Sequence, residues 1–277
     1  MLKWKLITLL FGLQTATCNC NFENKMGFDN ISTKSKIKKV GKLPLDLDES
    51  SGIIYYKATG NFISLNDSGN ESELFTIDIE GNLINTQLFP QLKNNDWEDL
   101  CSDTDGNIYI GDFGNNSQQR KNLAIYKISG SKVDTISFRY ADQVTFPPKV
   151  KNFDCEAFFW HEGELYLFSK NWEKDKKVCK IYKLPAKAGD YTISPLTDIV
   201  LETQVTAADI NFSGTEFVLL TYGKALFFNI ENGIIDFSKP KYCRKTRRMQ
   251  TEAICYKTDN ELYFTNEQGG FYSLTIE

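Results

Sequence analysis

The 277-residue sequence contains one histidine, His161. That excludes histidine-based catalytic triads and metal sites built from several histidines. Beyond the N-terminal region the cysteines are Cys101, Cys155, Cys179, Cys243 and Cys255, and none forms a CxxC pair, so a zinc site is not expected. No apolar run approaches the roughly 20 residues needed to cross a bilayer. Basic residues do not dominate: 32 Lys and Arg against 36 Asp and Glu leave a net charge of -4, which argues against a polycationic surface for nucleic acid. Methionine is scarce at 3, whereas 20 Phe, 13 Tyr and 18 Gly suit strands and turns better than helices. With 41% hydrophobic residues the chain can bury a sizeable core, and the first expectation is an all-β fold.

The N-terminus reads as an address. Lys3 and Lys5 precede an apolar run from Leu6 to Leu13, and Thr15-Ala16-Thr17 then lead to Cys18 and Cys20. This is the shape of a secretory signal. Ending at cysteine, it resembles a bacterial lipoprotein signal, in which Cys18 or Cys20 would carry the lipid. Residues 1–18 are therefore expected to be a signal, residues 19–36, rich in Asn, Lys and Ser, a flexible tether, and residues 37–277 a single folded domain. The five later cysteines read as small buried side chains.

Laying the chain against itself exposes a repeat. Five apolar runs stop at polar residues: FISLNDSGN from Phe62, IYIGDFGNN from Ile108, LYLFSKNW from Leu165, FVLLTYGK from Phe217 and LYFTNEQGG from Leu262. Each is preceded by a strand with a related start, namely ESSGII from Glu49, DWEDL from Asp96, DCEAFF from Asp154, TAADI from Thr206 and QTEAI from Gln250. Gly and Asn between the two strands supply hairpin turns. A third strand follows in every repeat, and a more variable fourth in all but the last. The segment KIKKVGKLPL from Lys36 has no other partner and would complete the last repeat. At roughly 48 residues per repeat, the pattern predicts a β-propeller of five four-stranded blades closed by the N-terminal strand. A sixth blade, the alternative, would have to fit between Ser129 and Phe153.

In such a ring the start of each first strand and the end of each second strand meet at one mouth of the central channel. Aligning the repeats by their turns places Ser51, Glu98, Glu156, Ala208 and Glu252 at one position and Glu49, Asp96, Asp154, Thr206 and Gln250 two residues earlier. The second strands end in Asp67, Asp112, Lys170, Tyr222 and Glu267, with Lys93, Lys151, Lys224, Arg247 and Arg248 on adjoining loops. The candidate ligand-binding set is Glu49, Asp67, Glu98, Asp112, Glu156, Lys170, Lys224, Glu252 and Glu267. Converging carboxylates suit a hard cation such as Ca²⁺, with Glu98, Asp112, Glu156 and Glu252 as candidate ligands. They equally suit hydrogen bonds that hold blades together. Trp97 and Trp172 flank this mouth and could stack on a sugar or pack between blades. The DSGN and DFGNN loops lack the ordered acid series of an EF-hand and read as turns. His161 reads as a surface residue in a hairpin turn.

Through ESSGI, LNDSGN, DWEDL, IYIGDFGNN, DCEAF, QTEAICY and LYFTNEQGG the chain resembles the SdiA-regulated family of exported bacterial propellers and the domain called esterase-like activity of phytase. The resemblance covers the body from about residue 40 and implies an exported propeller of five or six blades with bound calcium. It supplies no catalytic residues. The reading that follows is a binding module in the bacterial cell envelope, facing the periplasm or cell surface. It touches the membrane only through its lipid anchor and takes a small-molecule or protein ligand at the acidic mouth. The alternative is a calcium-dependent hydrolase of phosphate esters or glycosides, with Glu98 or Glu156 activating water.

Overall fold

In the computed structural model, residues 19–173, 178–246 and 250–277 are described. The signal segment 1–18 with Cys18, and Arg247 and Arg248, lie outside them. A short helix, α1 (Asn21–Lys25), is followed by β1 (Asp29–Asn30) and β2 (Ser35–Lys42). Blade one is β3 (Ser50–Tyr56), β4 (Asn61–Asn66), β5 (Glu73–Ile77) and β6 (Leu83–Leu88). Blade two comprises β7 (Trp97–Ser102), β8 (Ile108–Asp112), β9 (Leu123–Ser129) and β10 (Lys132–Tyr140). In blade three β11 (Asp154–His161), β12 (Glu164–Lys170) and β13 (Val178–Pro185) are completed by β15 (Pro195–Val200), while β14 (Gly189–Ile193) reaches back to pair parallel with β10. Blade four is β16 (Val205–Ile210), β17 (Glu216–Thr221), β18 (Lys224–Glu231) and β19 (Ile234–Lys245). Blade five contains β20 (Thr251–Thr258), β21 (Glu261–Asn266) and β22 (Gly270–Ile276), and its outer strand is β2.

The molecule is thus a five-bladed β-propeller closed by its N-terminal strand, as the repeats predict. The stretch once open to a sixth blade holds β10 and the loop to β11.

The core lies between blades because the inner strands carry apolar residues on both faces, while outer strands such as β6 stay exposed. Ile53 of β3 joins Phe62 and Phe75 against Ala253, Cys255 and Tyr263 of blade five, whereas its neighbour Ile54 turns to Trp97, Leu100 and Ile110 of blade two. Similar clusters fill the other three junctions. Around the axis the inner strands approach so closely that a Cβ on Gly52 would lie 2.7 Å from the Leu100 nitrogen, so no larger residue fits. Buried Asp99 bridges blades here: one carboxylate oxygen accepts the N–H groups of Phe158 (3.2 Å) and Ala208 (3.3 Å). Asp209 likewise accepts the Tyr256 N–H at 2.7 Å.

Of residues 19–36, expected as a tether, those from Cys20 to Ile31 are docked on blade four, and Ser35 and Lys36 begin β2 of blade five. Cys20 forms a disulfide with Cys243, and β1 pairs parallel with β19 at Tyr242 and Cys243. The Phe28 ring meets Phe228 edge-on at 5.2 Å. Buried Glu23 accepts hydrogen bonds from the Lys224 ammonium at 2.7 Å through both oxygens, and Glu202 pairs with the same ammonium. Cys243 is therefore not the free thiol expected, while Cys101, Cys155, Cys179 and Cys255 are buried and free. The dock fills a gap. Blade four joins β17 to β18 by the two-residue turn Tyr222-Gly223, where the other blades carry longer loops. His161 also differs from expectation: it is buried, with Nε2 3.1 Å from the Gly233 carbonyl oxygen at the junction of blades three and four.

Cys243→Ser should lower unfolding stability by about 3 kcal/mol in non-reducing buffer, through the lost cross-link. Glu23→Ala should also destabilise, because it leaves the fully buried Lys224 with Glu202 as its remaining carboxylate. Denaturant melts of both variants, with and without reductant, check this. Reductant should move wild type and leave Cys243→Ser unchanged.

Candidate functional site

One feature repeats at the mouth of all five blades. The pairing of first and second strand slips after Ser50, Trp97, Cys155, Val205 and Thr251, so the inner strand bulges at Ser51, Glu98, Glu156, Thr206 and Glu252. A bulge places an extra residue opposite one partner and re-aims its side chain. In blade four the bulged residue is Thr206, not Ala208. The alignment shifts by two because the TAADI segment carries no acid to mark the place.

The five positions divide into two uses. Ser51 and Thr206 donate to the next blade, to the carbonyl oxygens of Trp97 (3.3 Å) and Thr251 (2.8 Å). They hold blades together. Glu98, Glu156 and Glu252 instead converge, and each raises or feels the charge of another.

Glu156 has a cation. The Lys170 ammonium lies 2.8 Å from its carboxylate, 5.5 Å from the Trp172 ring centre and 5.5 Å from that of Tyr222. Glu252 hydrogen-bonds to Tyr222 and Glu267, and Gln250 donates to Glu267 at 2.6 Å. Asp154, two residues before the bulge, accepts the Trp172 Nε1–H at 2.6 Å and the Asn115 N–H at 2.7 Å. Asp112 is similarly committed to Arg120 (2.8 Å), Asn95 (2.7 Å) and Tyr126 (3.1 Å). Lys224 belongs to Glu23 and Glu202, and Glu49 accepts from Asn70 at 2.9 Å on the exposed rim. Trp97 is fully buried between blades one and two.

Glu98 is different. It is 4% exposed, and its Oε1 has no hydrogen-bond partner among the described residues. Oxygens of Asp67, Asp96 and Glu98 lie within 4.8 Å of one another, the one such grouping of metal-ligating side chains among the described residues. Around a Ca²⁺ ion, with each oxygen about 2.4 Å away, two ligand oxygens are at most about 5 Å apart, so the spacing fits one shell. Among the described residues, the nearest cation to this group, the Arg120 guanidinium, is 3.9 Å from Asp96. Gly114 closes over it: a Cβ there would stand 1.9 Å from Glu98 Oε1, so only glycine lets the loop after β8 pass.

The sequence set thus separates. Of the four candidate metal ligands, Glu98 lies in the triad, and Asp112, Glu156 and Glu252 are engaged elsewhere. Asp67, expected as a ligand-binding residue in a turn, and Asp96, expected two residues before Glu98, complete the triad. Gly114 and Arg120 were not singled out. The short DWEDL–DFGNN spacing that brings them together was visible.

Charge strain follows from burial. Desolvation pushes Asp67 up to about 7, against the bond from the Ser68 N–H and with repulsion from Glu156 and Asp96. Asp96 rises for the same reason, and Glu98 rises well above its ordinary value through burial and the charges of Glu156 and Asp67. Burial also lifts Glu156 to about 7, although Lys170 opposes it.

No protein-family model matches this sequence, and no curated protein does. Solved structures share its fold. A gluconolactonase from Xanthomonas campestris is 8% identical with a TM-score of 0.50, the match covering 88% of this chain and 90% of that one. The luciferin-regenerating enzyme is 14% identical with a TM-score of 0.50, covering 87% and 95%. A structural-genomics protein of unknown function from Bacteroides thetaiotaomicron is 8% identical at 0.50, covering 88% and 76%. At these identities the likeness establishes the propeller and nothing of the chemistry.

The raised carboxyls make stability depend on pH. An unfolded Asp or Glu ionises near 4, whereas Asp67, Glu156 and Asp209 hold their protons to about 7 in the fold. Their contribution is complete below about pH 4 and is lost as pH rises towards 7. In chelator, the melting temperature should be higher at pH 5.5 than at pH 8. Added Ca²⁺ should raise it more at pH 8, where ion and proton no longer compete. Thermal melts at both pH values check the sign.

Proposed function

We propose that this chain is an exported binding module that takes a divalent cation of the calcium class at Asp67, Asp96 and Glu98 and holds a ligand at the adjoining mouth. The observation that carries the reading is Glu98 Oε1, buried without a partner beside two further carboxylates. A carboxylate in that position is costly unless a cation or proton meets it. Three carboxylates, the remaining shell being carbonyls and water, suit Ca²⁺ better than a softer metal.

Calorimetry on the mature chain should show one Ca²⁺ site with a Kd of roughly 10⁻⁴ M. Glu98→Gln should weaken it at least about tenfold, whereas Glu252→Gln should change it little. Equal affinity in Glu98→Gln would reject the site.

An anchored location at the bacterial cell envelope belongs to the same proposal, as does kinship with the SdiA-regulated propellers. The Cys20–Cys243 disulfide supports export, since such bonds persist in oxidising compartments. It also bears on the anchor. A sulfur in a disulfide cannot carry a thioether-linked lipid, so of the two candidates Cys18 is the one we assign. Mass spectrometry of the membrane-extracted protein should find a diacylglyceryl modification on Cys18 and none on Cys20, and Cys18→Ser should release the protein from membranes.

A second reading, the calcium-dependent hydrolase, is favoured by Glu156, whose carboxyl titrates near neutrality beside Lys170. Groups of that kind serve as general acids and bases. Glu156→Gln should abolish turnover on a panel of phosphate esters, glycosides and lactones while leaving Ca²⁺ affinity intact. If wild type turns over none of the panel, the binding module stands alone.

A further inference from the structure

Among the described residues, one tryptophan is held in place by its surroundings without being covered. Trp172 lies on the rim after β12 and is 41% exposed, whereas Trp97 across the mouth is fully buried. Its Nε1–H is committed to Asp154 at 2.6 Å, and its backbone N–H to the Lys151 carbonyl at 3.0 Å. Asp154 is itself buried and fixed by the Asn115 N–H. An indole whose polar edge is already bonded can offer a ligand only its ring and carbon edge. Packing alone would bury such a ring, and fixing an exposed one is useful where something stacks on it.

The surroundings narrow what that is. A ligand cation would compete with the chain's own, because the Lys170 ammonium already sits 5.5 Å from the ring centres of both Trp172 and Tyr222 and is paired with Glu156. A phosphate or other multiply charged anion would meet Glu156, Glu252, Glu267 and the Asp67–Asp96–Glu98 group. A flat apolar ligand would desolvate these groups without offering them a hydrogen bond. A pyranose meets every condition: its C–H face packs on an aromatic ring, and its hydroxyls donate to carboxylates and accept from ammonium. Neighbouring hydroxyls can also ligate Ca²⁺ in place of water.

We propose that the ligand of this mouth is a neutral carbohydrate, stacked by one pyranose ring on Trp172 with hydroxyls directed to the Lys170–Glu156 pair and the cation triad. The proposal rests on the binding-module reading and adds the ligand class.

The test separates the two. Ca²⁺ binding is read by calorimetry, and sugar binding by intrinsic fluorescence and saturation-transfer NMR. The probes are the methyl glycosides of glucose, galactose, mannose, fucose and N-acetylglucosamine, and oligosaccharides of each. At least one glycoside should quench or shift the emission of the Ca²⁺-loaded protein. Trp172→Gln, which keeps an N–H for Asp154 but removes the ring, should weaken that sugar by about tenfold or more with Ca²⁺ affinity unchanged. A normal melting temperature for Trp172→Gln shows that the fold is kept. Normal Ca²⁺ binding with no response to any saccharide overturns the carbohydrate while leaving the module standing, as does equal sugar affinity in wild type and Trp172→Gln. A sugar response lost in Trp172→Gln but unaffected by chelator supports the carbohydrate and removes the cation from its recognition.

Discussion

The antiparallel ladder between β2 and β22 pairs residues 35–42 with 270–276 and turns a row of five sheets into a ring. Without it, blade five would expose the edge of β22, and Leu274 and Phe271 at the junctions would lose their cover. With it, the five inner strands face one axis. The clusters between blades then form one continuous belt, so the cost of ordering each inner strand is offset on both of its faces. The belt also explains why carboxylates can be tolerated near the axis. Asp99 is buried and Asp209 half-buried, yet backbone N–H groups of neighbouring blades satisfy them, and in doing so they fasten blade two to three and four, and blade four to five.

The mouth shows the same device taken further. A bulge at one height in every blade points a side chain inward, and what that residue is decides its use. A hydroxyl at Ser51 or Thr206 reaches the next blade's carbonyl, so those positions are consumed by structure. A glutamate is longer and charged, and in blades two, three and five it meets the others over the axis. Lys170 offsets Glu156, and Tyr222 supports Glu252. Among the described residues nothing comparable reaches Glu98 Oε1. The asymmetry between these halves is what separates a cation-binding side from an ammonium-bearing side within one ring.

Much of this was legible in the sequence because hairpins leave local marks. Alternating apolar residues, Gly and Asn turns and repeated starts are all short-range signals, and they locate the five blades and the closing strand. The candidate site was legible only to the blade. A bulge depends on backbone pairing that no single residue announces, so the place of Thr206 slipped by two where TAADI offered alanine for acid. Which carboxylates pair was hidden too, since Asp112 is tied by Arg120 from a loop eight residues on, and Glu156 by Lys170 from the adjacent strand. Neither link follows from spacing alone.

The N-terminal arm is the part composition concealed most completely. Residues 19–36 look like a tether because most of them are polar, and the docking is carried by only a few: Cys20, Glu23, Phe28 and Ile31, all buried. These four match features of blade four that were themselves misleading when read alone, an odd cysteine at 243 and a lysine at 224 that seemed to face a ligand. The Tyr222-Gly223 turn is too short to cover the end of that blade, and α1 lies in the space. A ligand-seeking lysine and a flexible tether thus become a single fact, a buried ion pair that only the assembled ring brings together. Because Lys224 is spent in this way, Lys170 is, among the described residues, the buried ammonium left at the carboxylate-lined part of the mouth, and its surroundings, not the count of basic residues near the rim, set what the mouth can hold.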